Sequence, residues 1–292
     1  MGKGDTGVWG SPKQTQKGVI KIDTQNDKID FCPVWPAKYC EKFLFLEIPR
    51  VILTSASLCD KTMGTLGIKS GAYEKVEYPH TFPRDGRKLI WVPTVRMNYK
   101  TSQMELKTWM MRINQILRGR QDRKGIIHTV SYKRRDMIVE NTKFYNNVLT
   151  HKPRNTDEIV QLFKRSEARP LYLVSPSVTT GYDFMYDECR FQIITKIAYP
   201  DSTSRIIKAR SKTDRNYNAY VAMQQLVQTV GRGTRAEDDW CENIIIDDGI
   251  GGFMNRHGGF APAWFKDTVV LNNQTIPIPP PLDTRDSANI NL

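Results

Sequence analysis

The residues best suited to chemistry lie in one segment, 228–235, which has the sequence Gln-Thr-Val-Gly-Arg-Gly-Thr-Arg. Arg232 and Arg235 are three residues apart at the predicted end of a helix, so both point to one side of it. A guanidinium is permanently charged and planar, which suits phosphate oxygens, and an arginine that reaches a transferring γ-phosphate stabilises the transition state. Gly231 lets the backbone turn tightly beside a ligand. One alternative stays open, because glycine often ends a helix and basic residues there complement the helix dipole.

A second group of polar residues follows a predicted strand, within the segment 173–184. The hydroxyls of Ser177 and Thr179 are suited to binding a phosphodiester. Gly181 comes next, and Asp183 can orient an arginine or a water molecule near a nucleotide. The alternative is an ordinary Gly-Asp turn.

Two more predicted strands carry hydroxyl groups to their ends. The strand predicted at 125–130 is followed by hydroxyls and positive charges, which can hold a phosphate at a helix start; these belong to Ser131, Tyr132, Lys133 and Arg134. A buried strand predicted at 50–54 delivers Thr54 and Ser55 to a loop. His128, inside the first strand, is interpreted as a packed residue and not as a catalytic base, because nothing near it in the sequence orients it.

The positive charge of the chain is concentrated in its middle. The sequence has 292 residues and a formal net charge of +12 at pH 7. The stretch from Arg84 to Arg154 holds 17 Lys/Arg against 5 Asp/Glu, whereas the rest of the chain holds 26 of each sign. Such a local excess suits a polyanion, and interleaved aromatic residues can stack on bases; they are Trp91, Tyr99, Trp109, Tyr132, Phe144 and Tyr145. The alternative is a solvated basic surface with the aromatic residues in the core.

The order of the predicted elements indicates the fold class. From residue 88 onward, strands and helices alternate as β-α-β-α-β-β-α-β, which is typical of an α/β domain with a mainly parallel sheet and helices on both faces. Strands are predicted at 88–92, 125–130, 171–174, 191–197 and 243–247, and helices at 102–117, 133–149, 156–165 and 218–230. Before this domain, alternating residues at 19–23 and 28–32 predict a hairpin.

In this order, the four segments with candidate site residues resemble the C-terminal part of superfamily-two DNA helicases of the XPD/DinG-like branch. Residues 54–58 (Thr-Ser-Ala-Ser-Leu) are similar to motif III, and residues 126–132 to motif IV, whose Ser-Tyr ending is kept. Residues 177–184 resemble motif V, with Thr180 where Glu is common. Residues 228–235 fit the Gln-x-x-Gly-Arg-x-x-Arg of motif VI at all four positions. The resemblance spans roughly residues 45–266.

The resemblance implies a role for each matching residue. Arg232 and Arg235 would be catalytic arginine fingers that complete an ATP site. The nucleotide-binding residues would be Gln228, Gly231, Gly181 and Asp183. The nucleic-acid-binding residues would be Thr54, Ser55, Ser131, Tyr132, Lys133, Arg134, Ser177 and Thr179.

The resemblance also implies a division of the chain. Residues 1–60 would be an N-terminal, β-containing extension with the final strand or strands of a first motor domain, motif III lying at 51–58. Residues 61–270 would form a RecA-like three-layer domain, and residues 271–292 a Pro-rich flexible tail. The sequence lacks the Gly-x-x-x-x-Gly-Lys-(Ser/Thr) loop of Walker A and the Walker B carboxylates that hold Mg²⁺. ATP and Mg²⁺ would therefore be shared with a first motor domain, in cis or in trans, and the chain alone is predicted to be inactive.

The expected function is the C-terminal motor half of an ATP-dependent helicase or translocase that grips single-stranded nucleic acid, DNA more than RNA. The alternative is a non-catalytic, helicase-derived module that only binds single strands, and a scaffold docking through its Pro-rich tail is a third interpretation. The five widely spaced cysteines predict reduced thiols, with no metal site and no iron–sulfur cluster. No membrane span and no signal peptide are predicted, so we expect a cytoplasmic or nucleoid-associated protein.

Overall fold

The computed structural model describes residues 19–23, 28–271 and 275–282, which divide into two compact units. The first unit contains the described residues up to 78, together with 199–224 and 260–262. The second contains residues 79–198 and 225–259 and the described residues from 263 onward. Along the described chain, no helix is both long enough and apolar enough to cross a membrane.

The first unit begins with the predicted hairpin. Strands β1 (Val19–Asp23) and β2 (Lys28–Cys32) pair antiparallel, which confirms these two strands, whereas the predicted turn between them lies outside the described residues. The helices of this unit are α1 (Ala37–Cys40), which continues as a π-helical turn at Glu41–Phe45, α2 (Asp60–Leu66), α6 (Arg205–Thr213) and residues 217–224 of α7 (Tyr217–Val230).

Three contacts within the first unit connect α6 to the segment before α1, α6 to α7, and α2 to α7. Arg210 of α6 donates to the carbonyl of Val34 at 2.5 Å and to the hydroxyl of Tyr217 at 2.6 Å. The Thr62 and Tyr220 hydroxyls are hydrogen-bonded at 2.9 Å, which connects α2 to α7.

The second unit is built on a seven-stranded sheet in which every pair of neighbours is parallel. Its strands are β3 (Leu89–Val95), β4 (Lys124–His128), β5 (Val148–Leu149), β6 (Leu171–Ser175), β7 (Phe191–Ile194), β8 (Glu242–Asp247) and β9 (Val269–Val270). They lie in the order β5-β6-β4-β7-β8-β3-β9. This confirms the predicted α/β class, and because all strands are parallel, their carboxyl ends share one edge.

Helices cover both faces of this sheet. They are α3 (Gln103–Arg118), α4 (Tyr132–Asn141), α5 (Thr156–Arg165), α8 (Ile250–His257) and α9 (Ala263–Lys266). Neighbouring residues of a strand point to opposite faces. Ile127 of β4 accordingly packs in a cluster with Trp109 of α3, whereas Ile126 packs in a second cluster with Phe163 of α5. The apolar strands are thus buried on both sides, as a parallel sheet requires.

Two predicted elements are wrong. Residues 50–54 form no strand, and Ile52 is 88% exposed, because no strand among the described residues pairs with this segment. The helix predicted over 133–149 ends at Asn141. Thr142 leaves the helical conformation with ψ 144°, and its hydroxyl donates to the side chain of Asn114 at 3.0 Å. Residues 148–149 then join the sheet as β5.

The predicted Pro-rich tail is described over residues 275–282. Ile276 packs against the core cluster that contains Trp109. The carbonyl of Pro277 accepts a hydrogen bond from the buried guanidinium of Arg120 at 3.0 Å. Arg120 also forms a bidentate ion pair with Glu242 at 2.9 and 2.7 Å, so this part of the tail contacts a buried charge pair.

Candidate functional site

Arg232 lies just after the last turn of α7 and faces the segment that follows β6. Its Nε donates to the carbonyl of Thr179 at 3.1 Å, and its Nη1 donates to the carbonyl of Tyr182 at 2.8 Å and to Asp183 Oδ1 at 3.0 Å. Its own carbonyl accepts the Phe184 N–H at 3.1 Å. The two segments that the sequence pointed to, 173–184 and 228–235, are therefore joined mainly through one arginine.

Arg235 shares the same carboxylate but is less enclosed. One end of its guanidinium forms an ion pair with Asp183, and the other donates to the carbonyl of Gly231 at 3.2 Å. The Arg235 side chain is 33% exposed, against 17% for Arg232. The hydrogen bond from Arg235 is the main reason that the pKa of Asp183 lies below its usual value, with the nearby positive charge of Arg232 adding to the effect. The carboxylate is therefore charged, and half of its side chain surface faces solvent.

Asp239 and Arg190, which no sequence motif predicted, hold the loop after α7 in place. Asp239 Oδ2 accepts the backbone N–H of Arg235 at 2.9 Å, and Asp239 Oδ1 accepts from Arg190 Nη1 at 3.1 Å. Arg190 also pairs with Asp187 at 2.9 Å. Both Arg190 and Asp239 are buried. Burial is the first cause that raises the pKa of Asp239, and its hydrogen bonds and Arg190 act in the opposite direction.

The glycines of the site differ in backbone conformation and in the space available for a side chain. Gly181 has φ +82°, a left-handed conformation that other residues adopt at a cost, and the space around it is open. A Cβ at Gly231 would meet ordinary contacts, the nearest being the Val227 carbonyl at 3.6 Å. A Cβ at Gly233 would lie 2.4 Å from Cys241 Sγ, so only glycine fits there. Gln228 is exposed on the last turn of α7.

The remaining site residues of the second unit lie at the carboxyl edge of the sheet. His128 and Ser175 are opposite each other at the ends of the adjacent strands β4 and β6, so the loops that begin after them are neighbours. Ser131 caps α4 by accepting the Arg134 N–H at 3.4 Å. Ser177 and Lys133 are exposed, and the Tyr132 ring lies 4.6 Å from the Arg135 guanidinium.

Two side chains fix the loop after β6. Gln225 of α7 donates to the Thr179 hydroxyl at 2.5 Å. His151, buried beyond the end of β5, has its Nε2 within 2.6 Å of Ser175 Oγ and 3.5 Å of Ser177 Oγ. His151 was not predicted as part of the site, because its partners are remote in sequence and only the sheet brings them together.

Thr54 and Ser55 belong to the first unit. Both are exposed. Ser55 Oγ accepts the Ser57 N–H at 3.2 Å, which makes a local turn. Their predicted contact with nucleic acid stays a prediction.

The basic segment is not one continuous surface. Four of its cations are buried, namely Arg87, Arg120, Arg123 and Lys124. Lys124, for example, donates to three carbonyls at the end of α5, those of Phe163, Lys164 and Ser166, at 2.9–3.0 Å. The aromatic residues divide in the same way, since Trp109 is fully buried whereas Tyr99 is 91% exposed. A part of the excess positive charge therefore lies in the interior of the domain and not on its surface.

The described residues contain no group of three His, Cys, Asp or Glu side chains that could hold a metal ion. Asp247, the last residue of β8, and Asp248, which follows it, both have structural partners. Asp247 accepts the N–H groups of Met97, Ile197 and Gly249 at 2.9–3.3 Å. Asp248 Oδ1 accepts from Thr94 N at 2.8 Å and from the Trp91 indole at 3.1 Å.

Comparison with known proteins bears on the family and the fold of the chain. The family model described as a helicase C-terminal domain matches residues 101–267. Three solved structures share the fold: S. tokodaii Xpd4 (TM-score 0.56, 14% identity), an XPD apo structure (0.60, 14%) and an XPD helicase (0.54, 12%). They cover 87%, 84% and 86% of this chain, and the chain covers 51%, 53% and 46% of theirs, so it spans about half their length. No curated protein sequence matches the chain. The fold is thus the RecA-like fold of XPD helicases, as the sequence predicted.

Proposed function

Because this chain belongs to the family of helicase C-terminal domains, we propose that it is the second motor half of an ATP-dependent helicase or translocase. The first motor domain, in cis or in trans, supplies the Walker A and Walker B groups and holds ATP and Mg²⁺ with it. The observation that carries the proposal is the shared carboxylate of Asp183, which holds Arg232 and Arg235 beside the segment 177–184.

We assign the two arginines different tasks. Arg232 is bound to the carbonyls of Thr179 and Tyr182, so it couples the nucleotide side of the domain to the segment that contacts nucleic acid. Arg235 is more exposed and contacts one side chain and one carbonyl, so it is free to turn towards a γ-phosphate. A phosphate that draws Arg235 away from Asp183 leaves that carboxylate with its contact to Arg232, and this change of partners links nucleotide state to the position of segment 177–184.

The nucleic acid binds along the carboxyl edge of the sheet in this proposal. The sugar-phosphate backbone of the nucleic acid contacts the polar residues that follow β4 and β6. These residues are Ser131, Tyr132, Lys133, Arg134, Ser177 and Thr179. Gln228, Gly231 and Gly181 line the nucleotide side. The strand is single-stranded, DNA more than RNA, and the protein acts in the cytoplasm or at the nucleoid.

The test has two parts, performed with the full chain. Alone, the chain should bind a labelled single-stranded oligonucleotide and show no ATP turnover. After assembly with a first motor domain that bears Walker A and Walker B, turnover should appear, and Arg235→Ala should lower it about 10³-fold, since arginine fingers contribute ~10³–10⁵ to the rate. The control is Arg118→Ala, which removes an exposed arginine of α3.

Three results would contradict the proposal. ATP turnover by the chain alone would mean that it contains its own phosphate loop. Unchanged turnover with Arg235→Ala would remove the finger assignment. Oligonucleotide binding without turnover in any assembly would favour a non-catalytic single-strand-binding module.

A further inference from the structure

We propose that Lys196, together with Arg134, binds one backbone phosphate of the nucleic acid at the carboxyl ends of β4 and β7. The inference rests on the proposed nucleic-acid binding and extends it to a residue that no motif assigned. Lys196 follows β7 by two residues, and Arg134 lies in the first turn of α4, which begins four residues after the end of β4.

The pairing of β4 with β7 sets the positions from which Arg134 and Lys196 extend. Strands β4 and β7 are adjacent and parallel, with His128 opposite Ile194. Thr195, the residue before Lys196, is bonded to the His128 carbonyl through its N–H at 3.2 Å and its hydroxyl at 2.7 Å. Lys196 therefore leaves the sheet from a position tied to the end of β4.

The two cations are close enough to affect each other and are not neutralised by partners of their own. Burial lowers the pKa of Lys196, and the positive charge of Arg134 lowers it further. Burial also lowers the pKa of Arg134. Both side chains are half-buried, and within the described residues neither donates a hydrogen bond or forms an ion pair.

Among the described residues, Asp247 is the carboxylate whose charge raises the pKa of both cations. It is buried, and it already accepts the backbone N–H groups of Met97, Ile197 and Gly249. Two positive charges thus face a single carboxylate that is occupied by the backbone. The ten-residue helix α4 adds the positive end of its dipole, with no acidic residue in its first turn.

The repulsion between the two like charges works against the stability of the free protein, and the single carboxylate of Asp247 offsets a part of it. A phosphodiester between the two side chains would remove that repulsion. The role therefore predicts an uncommon combination: loss of Lys196 should weaken nucleic-acid binding without lowering the melting temperature. A purely structural role would lower the melting temperature instead.

The experiment measures the Kd of a fluorescein-labelled oligodeoxythymidine by anisotropy over a series of salt concentrations. Lys196→Met should raise Kd about 5-fold and reduce the slope of log K against log[salt] by about 0.7, the change for one phosphate contact on a single strand. Lys196→Arg should restore both values. The matched control is Lys143→Met, which removes an exposed lysine of the same basic segment beyond the other end of α4 and should leave both values unchanged.

Further variants and ligands separate the remaining explanations. The losses caused by Arg134→Met and Lys196→Met should not add, because both residues bind the same phosphate. Inorganic phosphate at matched ionic strength should not displace the oligonucleotide; displacement from the wild type but not from Lys196→Met would assign the site to free phosphate. Melting temperatures of all variants are recorded in parallel.

The failure of this inference can be distinguished from the failure of the proposed function. If the wild type binds the oligonucleotide and Lys196→Met binds it with the same Kd and slope, the role of Lys196 is wrong and nucleic-acid binding stands. A lower melting temperature for Lys196→Met would make the residue structural. If the wild type does not bind at all, both proposals are overturned.

Discussion

The carboxylate of Asp239 accepts the backbone N–H of Arg235 at 2.9 Å, and this bond sets the path of the loop that carries the second arginine. The same carboxylate accepts the Tyr186 N–H at 3.3 Å and pairs with Arg190 at 3.1 Å. The loop after α7 is therefore anchored to the segment before β7 by a buried ion pair. Because α7 ends at Val230, Arg235 lies outside the helix, and its position is set by the contacts of Asp239.

We predict that Asp239→Asn destabilises the second unit. The substitution removes the more buried of the two carboxylates that pair with Arg190, and it puts an amide where three backbone N–H groups donate. Breaking a buried pair by removing one partner costs about 3–5 kcal/mol. Urea unfolding followed by circular dichroism measures the loss. Glu237→Gln, two residues away and exposed, is the control, and an equal effect of the two substitutions would contradict the anchoring role.

The fold could be predicted from local patterns where those patterns decide the structure. The strands β4, β6, β7 and β8 are short apolar runs, and a parallel sheet buries such runs on both faces. Residues 50–54 have the same kind of sequence, yet a strand also needs a neighbour, and none of the described strands pairs with them. A local pattern contains no information on whether such a neighbour exists.

The site was predictable in part for a related reason. Arg232, Arg235 and Asp183 stand out because their residue types and spacing match a motif. Asp239 and Arg190 do not, because they are 49 positions apart and meet only through the sheet. In the same way, four cations of the basic segment are buried although their sequence context suggests a surface.

Gly233→Ala should be much more harmful than Gly231→Ala, although both glycines belong to the same motif. A Cβ at position 233 would be 2.4 Å from Cys241 Sγ and 2.7 Å from Cys241 Cβ, so either Cys241, directly before β8, or the loop must shift. Overpacking of this kind costs about 1–3 kcal/mol. At position 231 the nearest contact is 3.6 Å, and the expected change is within about 0.5 kcal/mol. Thermal unfolding of both variants tests this, and similar melting temperatures would contradict it.

His128 should make stability depend on pH. Its Nε2–H donates to Gln192 Oε1 at 2.7 Å, because the Gln192 amide nitrogen donates to Asn243, and its Nδ1 is buried without a partner in the described structure. Burial lowers the pKa of His128 to about 4. The unfolded chain therefore binds a proton below about pH 6.5 that the folded chain takes up only near pH 4.

The contribution of His128 is thus fully present above about pH 6.5 and is lost as the pH falls towards 4, by up to about 3 kcal/mol. The free energy of unfolding in urea at about pH 7.5 and about pH 5 measures it. His128→Gln keeps the donor to Gln192 and should flatten the pH dependence. His257→Gln, on α8, should leave it in place. The same slope for the wild type and His128→Gln would mean that another group is responsible.

Replacing Arg232 should destabilise the isolated chain more than replacing Arg235, whereas the order should reverse for catalysis. Arg232 donates to the two carbonyls of Thr179 and Tyr182, and hydrogen bonds from charged groups contribute about 1.5–3 kcal/mol. Arg235 contacts the half-exposed Asp183, and such pairs contribute about 0–1 kcal/mol. Arg232→Ala should therefore cost about 2 kcal/mol or more and speed amide hydrogen exchange in segment 177–184.

Arg235→Ala should leave the exchange of that segment nearly unchanged, while ATP turnover in the assembled motor falls about 10³-fold. Asp183→Asn is a useful third variant, because it weakens the contacts of both arginines to the carboxylate but keeps the Arg232 bonds to the two carbonyls. Its exchange rates in segment 177–184 should lie closer to the wild type than to Arg232→Ala. Equal losses of stability for Arg232→Ala and Arg235→Ala would contradict the division of tasks, because both arginines would then be structural to the same degree.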